Sequence, residues 1–520
     1  MLMRDFTWAN LKVIIRSKNY SIVLMCTLKI KYCMSQSNSS SNKTGGKTMK
    51  LKKVLLLDAI SFQADPNDEI WAYENVAQIK YAEAQNRVIL DYLGADVVAK
   101  LHGQVEYISN YGLLMLGYLL KKNNIFVSYT NGDYFTSEEE YIADINKRYT
   151  DYDVYCFTST TPQFNHVKRL AQAVKKMNPN AKNILGGPHA RYFLTHDKDE
   201  AFDYVVTGYG IDKTLELIKT IMAGDKTNFW RIDTDMYFDC PKEFNLIPEE
   251  RRMDTLWYNF FGIGCPNRCK YCVEHKVGKR ICFTDVHSRM DEVEYIIKKY
   301  GVKMFHFSDS DFFINEDVYT EVINEIERRG IKCTFTINTS PNFLIKVAHK
   351  PILKKFVDNG LIEILIGAEH FSKNVRLKVS KYYQIEAFKE TLDVVKHEVG
   401  VPIISLYSMV GLPFEYEEDI AFNVATFKQM RESDLFDFTF PKFFVPYPDS
   451  DIYMNPDKYG VVITSDNFDD YHRWRTPRPV KVTGMDDNIY VQEILDIIRT
   501  NKDFDENEVR NERAHNKFFI

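Results

Sequence analysis

The sequence predicts an α/β protein with two large domains. The first is expected to be a flavodoxin-like (Rossmann-type) doubly wound domain, and the second an open six-stranded (β/α) partial TIM barrel with a small, mainly helical C-terminal segment. Short apolar runs of strand length alternate twice along the chain with segments of helical spacing, which is typical of parallel sheets covered by helices. The 520 residues, 45% hydrophobic and 27% charged, suffice for two or three cores.

The first set of apolar runs lies between residues 50 and 225. Five strands that alternate with helices of ten or more residues suit the flavodoxin-like strand order, in which ligands bind beyond the carboxyl ends of the strands. Helices are predicted over residues 111–122 and 166–177. Strands are predicted over residues 54–57, 125–129, 154–158, 183–185 and 204–207.

The second set of runs predicts six strands, each followed by a helical segment. Six repeats are too few to close an eight-stranded barrel, so we expect the barrel to be open. Helical spacing with a charged outer face covers residues 291–300, 318–329 and 386–398. The strands are predicted over residues 256–261, 303–307, 333–337, 363–366, 403–409 and 437–440.

Composition marks the domain boundaries. Residues 1–48 hold eight Lys or Arg against the one acidic residue Asp5 and end in SQSNSSSNKTGG, so we expect a disordered extension. A transit peptide, or a true start at Met49, are alternative interpretations of this segment. The two domains are then predicted at 49–225 and 251–445, with a linker at 226–250 and a C-terminal segment at 446–520.

Charge and hydropathy exclude several classes of protein. A formal net charge of -5 gives no indication of a basic surface that binds nucleic acid. No stretch approaches the roughly 20 apolar residues of a membrane span. Nine cysteines, an odd number clustered only once, indicate a reducing cytoplasmic compartment rather than a disulfide framework.

Three cysteines, Cys265, Cys269 and Cys272, lie within eight residues in the run GIGCPNRCKYC. A 4Fe-4S cluster normally takes four cysteines, so three closely spaced thiolates predict a cluster whose fourth iron is open to a small molecule. A zinc site completed by Cys282 or His275 is the alternative. The single loop after an apolar strand favours the cluster, because structural zinc ligands usually come as separated pairs.

The CxxxCxxC spacing, with Tyr271 before the last cysteine, resembles the signature of the radical S-adenosylmethionine enzymes. The resemblance implies that the open iron chelates the amino and carboxylate groups of S-adenosylmethionine, whose reductive cleavage gives a 5'-deoxyadenosyl radical. It also implies that Tyr271 contacts the cofactor. The alternative for Tyr271 is that its ring only covers a hydrophobic patch.

Polar residues at the carboxyl ends of the barrel strands extend the resemblance. The segments FSDSDFF, IGAEHFSKNVRLKVSK and MVGLPFE are similar to family segments and contain Asp309, Glu369 and Gly411. Carboxylates suit the ammonium and ribose hydroxyls of S-adenosylmethionine, and backbone groups at Gly411 suit the adenine edge. As alternatives, Asp309 and Asp311 cap the next helix, Glu369 forms a surface salt bridge, and the Gly-Leu-Pro turn is structural.

Small hydroxyl residues and glycines follow the strands of the first domain, where they allow a large ligand to approach the backbone. The segments FTSTTPQFNHVKRLAQAVKK, NILGGPHA and DYVVTGYG resemble the cobalamin-binding domain that precedes the radical domain in one class of these enzymes. A degenerate domain that serves as a lid or scaffold is the alternative. The cofactor-binding residues implied by the resemblance are Thr158, Ser159, Thr160, Gly186, Gly187 and Gly208.

The sequence departs from the family pattern in three places. It has no DxHxxG motif to supply a histidine to cobalt, and His189 is not expected to be a ligand. Tyr209 and Ile211 replace the glutamates of the usual GEGE run. After strand six, PYPDSDIY has Asp449 and Ser450 where the family usually has Gly-Thr.

The resemblance implies an enzyme that binds a 4Fe-4S cluster, S-adenosylmethionine and cobalamin. Its predicted reaction is methylation of an unactivated carbon in a small-molecule substrate. The predicted electron donor is a protein such as a flavodoxin or ferredoxin. The alternatives are a radical cyclase or rearrangement enzyme, and a non-catalytic cobalamin or iron-sulfur sensor. The sequence indicates no substrate.

Overall fold

The computed structural model describes residues 14–17, 20–23, 52–60, 70–93, 110–224, 229–233, 256–276, 281–473, 476–482 and 485–516. Residues 1–51 form a separate compact unit. In it, β1 (Ile14–Ser17) pairs antiparallel with β2 (Tyr20–Val23). Met49 and most of the predicted extension and linker lie outside the described residues.

The first domain contains a six-stranded parallel sheet in the order β4-β3-β5-β6-β7-β8. This is the flavodoxin-like order with one strand added at the edge, which confirms the predicted fold class. The added strand β8 falls within the predicted linker. The strands are β3 (Lys53–Asp58), β4 (Phe126–Asn131), β5 (Val154–Thr158), β6 (Lys182–Gly186), β7 (Tyr204–Thr207) and β8 (Arg231–Asp233).

Four helices cover this sheet: α2 (Tyr111–Lys122), α3 (Glu138–Arg148), α4 (Phe164–Met177) and α5 (Ile211–Ala223). Helix α2 is apolar at nearly every position, which matches the burial of seven of its twelve residues. Helix α3 was missed because most of its residues are charged. Its start follows local rules: Ser137 caps the helix and three glutamates occupy its first turn.

The second domain contains six parallel strands in the sequential order β16-β15-β14-β13-β12-β9. Strands that follow one another in the chain are neighbours in this open sheet, and helical crossovers connect them. This arrangement is the predicted partial barrel, so the prediction is confirmed. The strands are β9 (Leu256–Asn259), β12 (Met304–Phe307), β13 (Thr334–Thr339), β14 (Leu361–Glu369), β15 (Ile403–Val410) and β16 (Phe438–Phe443). A short hairpin of β10 (Gly262–Ile263) and β11 (Cys282–Phe283) flanks the first strand.

The helices that follow these strands form the outer layer of the barrel. Each predicted helical segment is found, with the start of the first one five residues earlier than expected. These helices are α6 (Val286–Tyr300), α7 (Glu316–Arg329), α8 (Pro341–Val347), α9 (Pro351–Asp358), α10 (Lys373–Lys378), α11 (Ile385–Asp393) and α12 (Glu417–Glu432).

The C-terminal segment closes one side of the barrel. It contains α13 (Asp451–Met454), a hairpin of β17 (Val461–Ile463) and β18 (Val480–Val482), and the helices α14 (Asp487–Ile498) and α15 (Glu506–Asn516). Helix α14 packs on β16 and α12. Among the described helices, none is long and apolar enough to cross a bilayer.

The two faces of the barrel sheet differ in exposure. Side chains that point outward, such as Ile366 and Leu406, are completely buried under the helices. The inward-facing Tyr407 is 38% exposed in the middle of β15. The interior of the barrel is therefore open at Tyr407, and this open part is called the bore, whereas Glu363 on the same face is completely buried.

A helix absent from the sequence prediction, α1 (Trp71–Leu93), packs against β13 and β14 of the barrel although it follows β3 of the first domain in the chain. The Tyr81 hydroxyl donates to Oε2 of Glu363 at 2.7 Å, and the Gln85 amide donates to the same atom at 2.8 Å. The Tyr81 ring meets Phe438 and Phe440 edge-on. Helix α1 thus joins the N-terminal segment to the barrel.

The bond between Tyr81 and Glu363 predicts a pH-dependent stability effect. Burial raises the pKa of Glu363 to about 7, so the bond goes to a neutral acid below that pH and to a carboxylate above it. For Tyr81→Phe, we expect the free energy of unfolding to fall by roughly 0.5–1.5 kcal/mol near pH 6 and roughly 1.5–3 kcal/mol near pH 8. Chemical denaturation at both pH values measures this. Tyr382→Phe, at a 56% exposed tyrosine, is the control.

Candidate functional site

The predicted cysteine ligands lie in one loop that follows β10. Cys265, Cys269 and Cys272 are all free thiols, and Cys269 is buried. The amide of Cys272 donates to the Cys269 carbonyl at 3.1 Å, which turns the loop back on itself. Burial raises the pKa of Cys265 to about 11 and that of Cys272 to about 12. Such thiols stay protonated unless a metal binds them, and an all-sulfur donor set suits an iron-sulfur cluster.

Backbone hydrogen bonds hold this loop between two segments of the barrel. The Lys270 amide donates to the carbonyl of Val379 at 2.9 Å, and the amide of Ile452 donates to the Lys270 carbonyl at 3.2 Å. Lys270 also pairs with Asp451 at 2.9 Å. The loop is therefore fixed both to the segment after β14 and to the segment after β16.

Asp449 connects the loop to the first domain. Its carboxylate pairs with Arg191, and its carbonyl accepts from Nζ of Lys276 at 2.6 Å. Asp449 has φ +69°, in the left-handed region that favours glycine. The position that departs from the family's glycine thus keeps a glycine-like conformation and gains an ion pair.

The zinc alternative requires a fourth ligand close to the three sulfurs. Tetrahedral zinc with Zn–S bonds of about 2.3 Å needs sulfurs roughly 3.8 Å apart. Within the described part of the chain, no three His, Cys, Asp or Glu ligand atoms from this loop lie within 4.8 Å of one another. Cys282 instead lies in β11, opposite Ile263. The cysteine loop is not a preformed closed zinc site.

Tyr271 is half-buried between the cysteines and the barrel. Its hydroxyl is close to Glu369 and Cys269, and burial raises its pKa well above the ordinary value. Its ring also packs on the apolar cluster that contains Leu412 and Phe444. Tyr271 therefore covers a hydrophobic patch and also reaches the polar site, so both interpretations of this residue have a structural basis.

Asp309 fixes the start of the cysteine loop. Its carboxylate accepts hydrogen bonds from the amides of Phe261 at 3.1 Å and Gly262 at 2.6 Å. Burial raises its pKa to about 7. The capping alternative is wrong, since Asn315 caps α7. These bonds give Asp309 a positioning role, and its contact with S-adenosylmethionine stays a prediction.

Asp311 makes a similar connection between neighbouring strands. Its carboxylate accepts from the Thr339 hydroxyl at 2.7 Å and from the Ser340 amide at 2.9 Å. It caps no helix through its side chain. Both acids at the end of β12 therefore fix backbone that borders the site.

Glu369 lies at the end of β14 with φ +65°. It is paired with Lys381, whose Nζ lies 3.5 Å from its Oε1, and both side chains are largely buried. Glu369, Cys269 and Asp311 raise the pKa of Lys381 against the opposing effect of burial, so the ammonium is charged. The surface salt-bridge alternative is wrong because this pair is buried beside the cysteines. Lys381 ends the quoted fourth-strand segment, but no role for it is predicted from the sequence.

The turn after β15 requires a glycine. Gly411 has φ +75°, and a Cβ at this position would collide with the guanidinium of Arg478. Arg478 donates to the Gly411 carbonyl at 3.1 Å and to Asp487 at 2.9 Å. The C-terminal segment thus covers this turn, and the predicted contact of Gly411 with adenine is not tested by these bonds.

Below the turn lies a completely buried polar group formed by His370, Glu415 and Glu493. The ring of His370 is 2.8 Å from Glu415, whose other oxygen accepts from the Leu412 amide at 2.8 Å. Burial and the Glu415 charge raise the pKa of Glu493 well above its ordinary value. The raised pKa favours the protonated form of Glu493, which can donate this proton to Glu415. Sequence reasoning missed this group because its members are 123 residues apart.

The first domain contains a cavity of about 310 Å³ at the carboxyl edge of its sheet. Its floor is apolar, with Leu116, Ile184 and Val206, and its rim is rich in glycine. A Cβ on Gly187, which has φ +85°, would lie 2.7 Å from the Ser159 amide nitrogen. A glycine rim over an apolar floor fits a large, flat ligand such as a corrinoid.

The structure brings some of the predicted first-domain residues to the cavity but not others. Four of the six line it: Thr158, Gly186, Gly187 and Gly208. Ser159 and Thr160 are not among the lining residues. The Ser159 hydroxyl donates to the Thr160 carbonyl at 2.8 Å, and the Thr160 hydroxyl donates to Gln163 at 2.7 Å. Both side chains form local hydrogen bonds at the start of α4, and their contact with a cofactor stays a prediction.

Two further features of the cavity bear on the departures from the family pattern. His189 is not among the lining residues; it is buried among aromatic rings, and burial lowers its pKa to about 3, so its ring is neutral. Tyr209 and Ile211 line the cavity. Val273 and Glu274 of the cysteine loop complete its wall, so the cavity lies directly beside that loop.

Sequence comparison identifies two matching domains. Residues 259–423 match the Radical SAM superfamily, and residues 96–218 match the B12 binding domain. The chain is 23% identical over 378 residues to the anaerobic magnesium-protoporphyrin IX monomethyl ester cyclase of Rubrivivax gelatinosus, covering 67% of this chain and 65% of that protein. It is 23% identical to an uncharacterized methyltransferase of Pyrococcus horikoshii, covering 59% of this chain and 70% of that protein.

Solved structures share the fold. The radical S-adenosylmethionine methyltransferase TsrM from Kitasatospora setae aligns with a TM-score of 0.54 and 16% identity, covering 78% of this chain and 76% of that chain. The cobalamin-dependent S-adenosylmethionine radical enzyme OxsB aligns with a TM-score of 0.54 and 13% identity, covering 79% of this chain and 56% of that chain.

The shared proton between Glu493 and Glu415 predicts different outcomes for two substitutions. Glu493→Gln resembles the protonated acid: its amide can donate to Glu415 and accept from Asn423, as Glu493 does now at 2.8 Å. We expect it to fold normally, whereas Glu493→Ala should lower the free energy of unfolding by about 2–4 kcal/mol because it leaves Glu415 and Asn423 unpaired.

The pH dependence provides a second readout for these variants. Because folding raises the pKa of Glu493, the contribution of this residue to stability is fully present below the ordinary carboxyl pKa and is lost as the pH rises towards the raised value. Glu493→Gln removes this contribution, so its stability should fall less steeply with pH. Glu432→Gln, at an exposed position of α12, is the control. Equal slopes for wild type and Glu493→Gln would contradict the shared proton.

Proposed function

The chain belongs to the radical S-adenosylmethionine enzymes that carry a cobalamin-binding domain, and on this premise we propose that it methylates an unactivated carbon of a small molecule. The observation that supports the proposal is the position of the cysteine loop. One side of that loop forms a wall of the first-domain cavity, and the other side meets the strand ends of the barrel. The cobalamin that carries the methyl group and the cluster that generates the radical would then border the same space.

The bound groups supply the difficult chemistry: reductive cleavage of S-adenosylmethionine to a 5'-deoxyadenosyl radical, and methyl transfer by way of cobalamin. The residues of the chain bind these groups and orient them. Cys265, Cys269 and Cys272 would hold the cluster, while Glu369 and charged Lys381 offer opposite charges for the ammonium and carboxylate of S-adenosylmethionine.

The bore of the barrel offers space for the substrate. His306 and Asn338 point into it from adjacent strands, and the Asn338 amide lies 3.0 Å from Nε2 of His306. Burial lowers the pKa of His306 to about 4, so the ring is neutral. Together with the exposed Tyr407, these groups suit a polar substrate that is bound by hydrogen bonds. The enclosed site would also keep water from the radical.

A radical cyclase or rearrangement enzyme is the second candidate. The similarity to a monomethyl ester cyclase over 67% of this chain favours it. A cytoplasmic location is part of either proposal, because the six described cysteines are free and such clusters need a reducing compartment. A small-molecule substrate and a protein electron donor are likewise proposed.

Products formed from S-adenosylmethionine test the proposal even before the substrate is known. We expect the protein, reconstituted anaerobically with iron, sulfide and cobalamin and then reduced, to release both S-adenosylhomocysteine and 5'-deoxyadenosine. A cyclase would release only 5'-deoxyadenosine, and a sensor would release neither. Chromatography with mass detection measures both products.

Two cysteine substitutions serve as matched controls for this experiment. Cys265→Ala should abolish 5'-deoxyadenosine formation and lower the bound iron, because the cluster loses a ligand. Cys282→Ala removes a nearby, equally partly buried thiol and should change neither. If Cys282→Ala lowered bound metal as much as Cys265→Ala, the zinc alternative would gain support and the proposed cluster would be wrong.

The cavity predicts a size series at Gly186. An added Cβ meets nothing closer than the Phe157 carbonyl at 3.8 Å, so Gly186→Ala should keep bound cobalamin. Gly186→Leu should reduce it at least tenfold, because the larger side chain occupies the cavity that Gly186 lines. Absorbance of the purified protein measures cobalamin, and unchanged iron content shows that the barrel is intact. Full cobalamin binding by Gly186→Leu would overturn the assignment of the cavity.

A further inference from the structure

One buried hydrogen-bond donor in the wall of the first-domain cavity lacks an acceptor. Arg191 lines the cavity and is only 8% exposed. Its Nη2 donates to the carboxylate of Asp449 and to the carbonyl of Lys276, the latter at 3.4 Å. Its Nε is buried, and no group in the described part of the chain accepts a hydrogen bond from it. A buried N–H without an acceptor is costly, so this atom requires an explanation.

The ion pair with Asp449 fixes the guanidinium group but uses only part of it. An arginine side chain carries five N–H donors in one rigid plane, so the bonds of Nη2 leave Nε available for a second acceptor. Because Arg191 borders the cavity, a ligand bound in the cavity can supply that acceptor. The guanidinium is thus held in place by the protein and presents one further donor.

The charges around the cavity indicate which kind of acceptor fits. The charged residues that line it are one cation, Arg191, and one anion, Glu274, which accepts from the Tyr209 hydroxyl at 3.4 Å. The Arg191 cation already has Asp449 as its partner. A carboxylate or phosphate on the ligand would therefore meet no unpaired positive charge among these lining residues, and its burial would be costly. A neutral carboxamide carbonyl can accept from Nε without that cost.

We propose that Arg191 donates from Nε to a carboxamide carbonyl of the bound corrinoid, and that the cavity thereby prefers amidated corrinoids to corrinoids with free carboxylates. The inference rests on the proposed function and adds to it a specificity-determining residue for the ligand of the cavity. Asp449 has two parts in this selection, because it orients the guanidinium and also compensates its charge.

Two corrinoids that both lack the nucleotide test the preference. Cobinamide carries carboxamides around its ring, and cobyrinic acid carries carboxylates. Equilibrium dialysis measures their binding to the full-length protein, reconstituted with iron and sulfide but without cobalamin. We expect wild type to bind cobinamide at least tenfold more tightly than cobyrinic acid. Arg191→Lys keeps a cation for Asp449 but has no Nε donor, so it should bind cobinamide at least tenfold more weakly than wild type. Arg169→Lys, at an arginine of α4 that pairs with Glu138, is the matched control.

Asp449→Asn separates the hydrogen bond from the ion pair. Asparagine tolerates the left-handed backbone at this position, and the substitution removes the partner charge while Arg191 keeps its Nε donor. We expect the variant to bind cobyrinic acid about fivefold more tightly than wild type, because the guanidinium charge is then available to a carboxylate. Its binding of cobinamide should stay close to that of wild type. This variant tests the charge argument even if Arg191→Lys folds poorly, which bound iron and thermal unfolding would show.

Several results would overturn the proposal. If Arg191 only joined the two domains, Arg191→Lys and Asp449→Asn would weaken cobinamide binding equally. Unchanged cobinamide binding by Arg191→Lys, an equal loss in Arg169→Lys, or a wild-type preference for cobyrinic acid would also contradict it. Failure of the proposed methylation has a different readout. If the cobalamin-loaded enzyme formed no S-adenosylhomocysteine, that proposal would be wrong, but the measured corrinoid preference would stand.

Discussion

The site depends on one constraint, the fixed position of the cysteine loop between the two domains. Asp309 holds the start of the loop through two backbone amides, and the Lys270 peptide group is bonded to Val379 on one side and Ile452 on the other. These bonds involve backbone atoms of the loop, so they fix the backbone from which the three cysteine side chains extend. Three barrel segments distant in sequence thus meet at one loop, and every other part of the site is positioned relative to it.

The buried charges near the loop follow from the same arrangement. Removing a charge from water is costly unless a partner is close, and the two ion pairs beside the loop, Arg191 with Asp449 and Glu369 with Lys381, each join different chain segments. Apolar pairs of similar size would pack without orienting the backbone. We infer that these ion pairs are kept because they fix the relative position of the first domain, the loop and the strand ends.

Much of the fold could be predicted from the sequence because its strands are short apolar runs. Strand β5 was predicted with its observed bounds, and so was helix α2, since each is apolar throughout. Helix α1 was missed because its apolar residues are spread around the helix among polar ones that reach Glu363. Strand β8 was missed because a strand of three residues is too short to show an apolar run or a regular alternation of apolar and polar residues.

The candidate site was predictable only in part, for a related reason. The spacing of the cysteines is local, so the sequence shows it directly. The role of Asp309 as an acceptor of loop amides depends on a contact across 47 residues, and the Glu493 proton depends on one across 78. A sequence shows that a carboxylate follows a strand, but only the fold shows which donors surround it.

The two faces of the barrel strands explain why the fold does not determine the reaction. Outward side chains such as Ile366 and Leu406 form the core, while the intervening inward side chains, such as Tyr407, border the bore. Inward residues at the bore, such as Tyr407, can therefore change without disturbing the core, whereas the buried inward residue Glu363 cannot. This separation is consistent with relatives of about 23% identity whose names describe a cyclase and a methyltransferase. The outward faces maintain the fold, so a shared fold does not by itself determine the reaction.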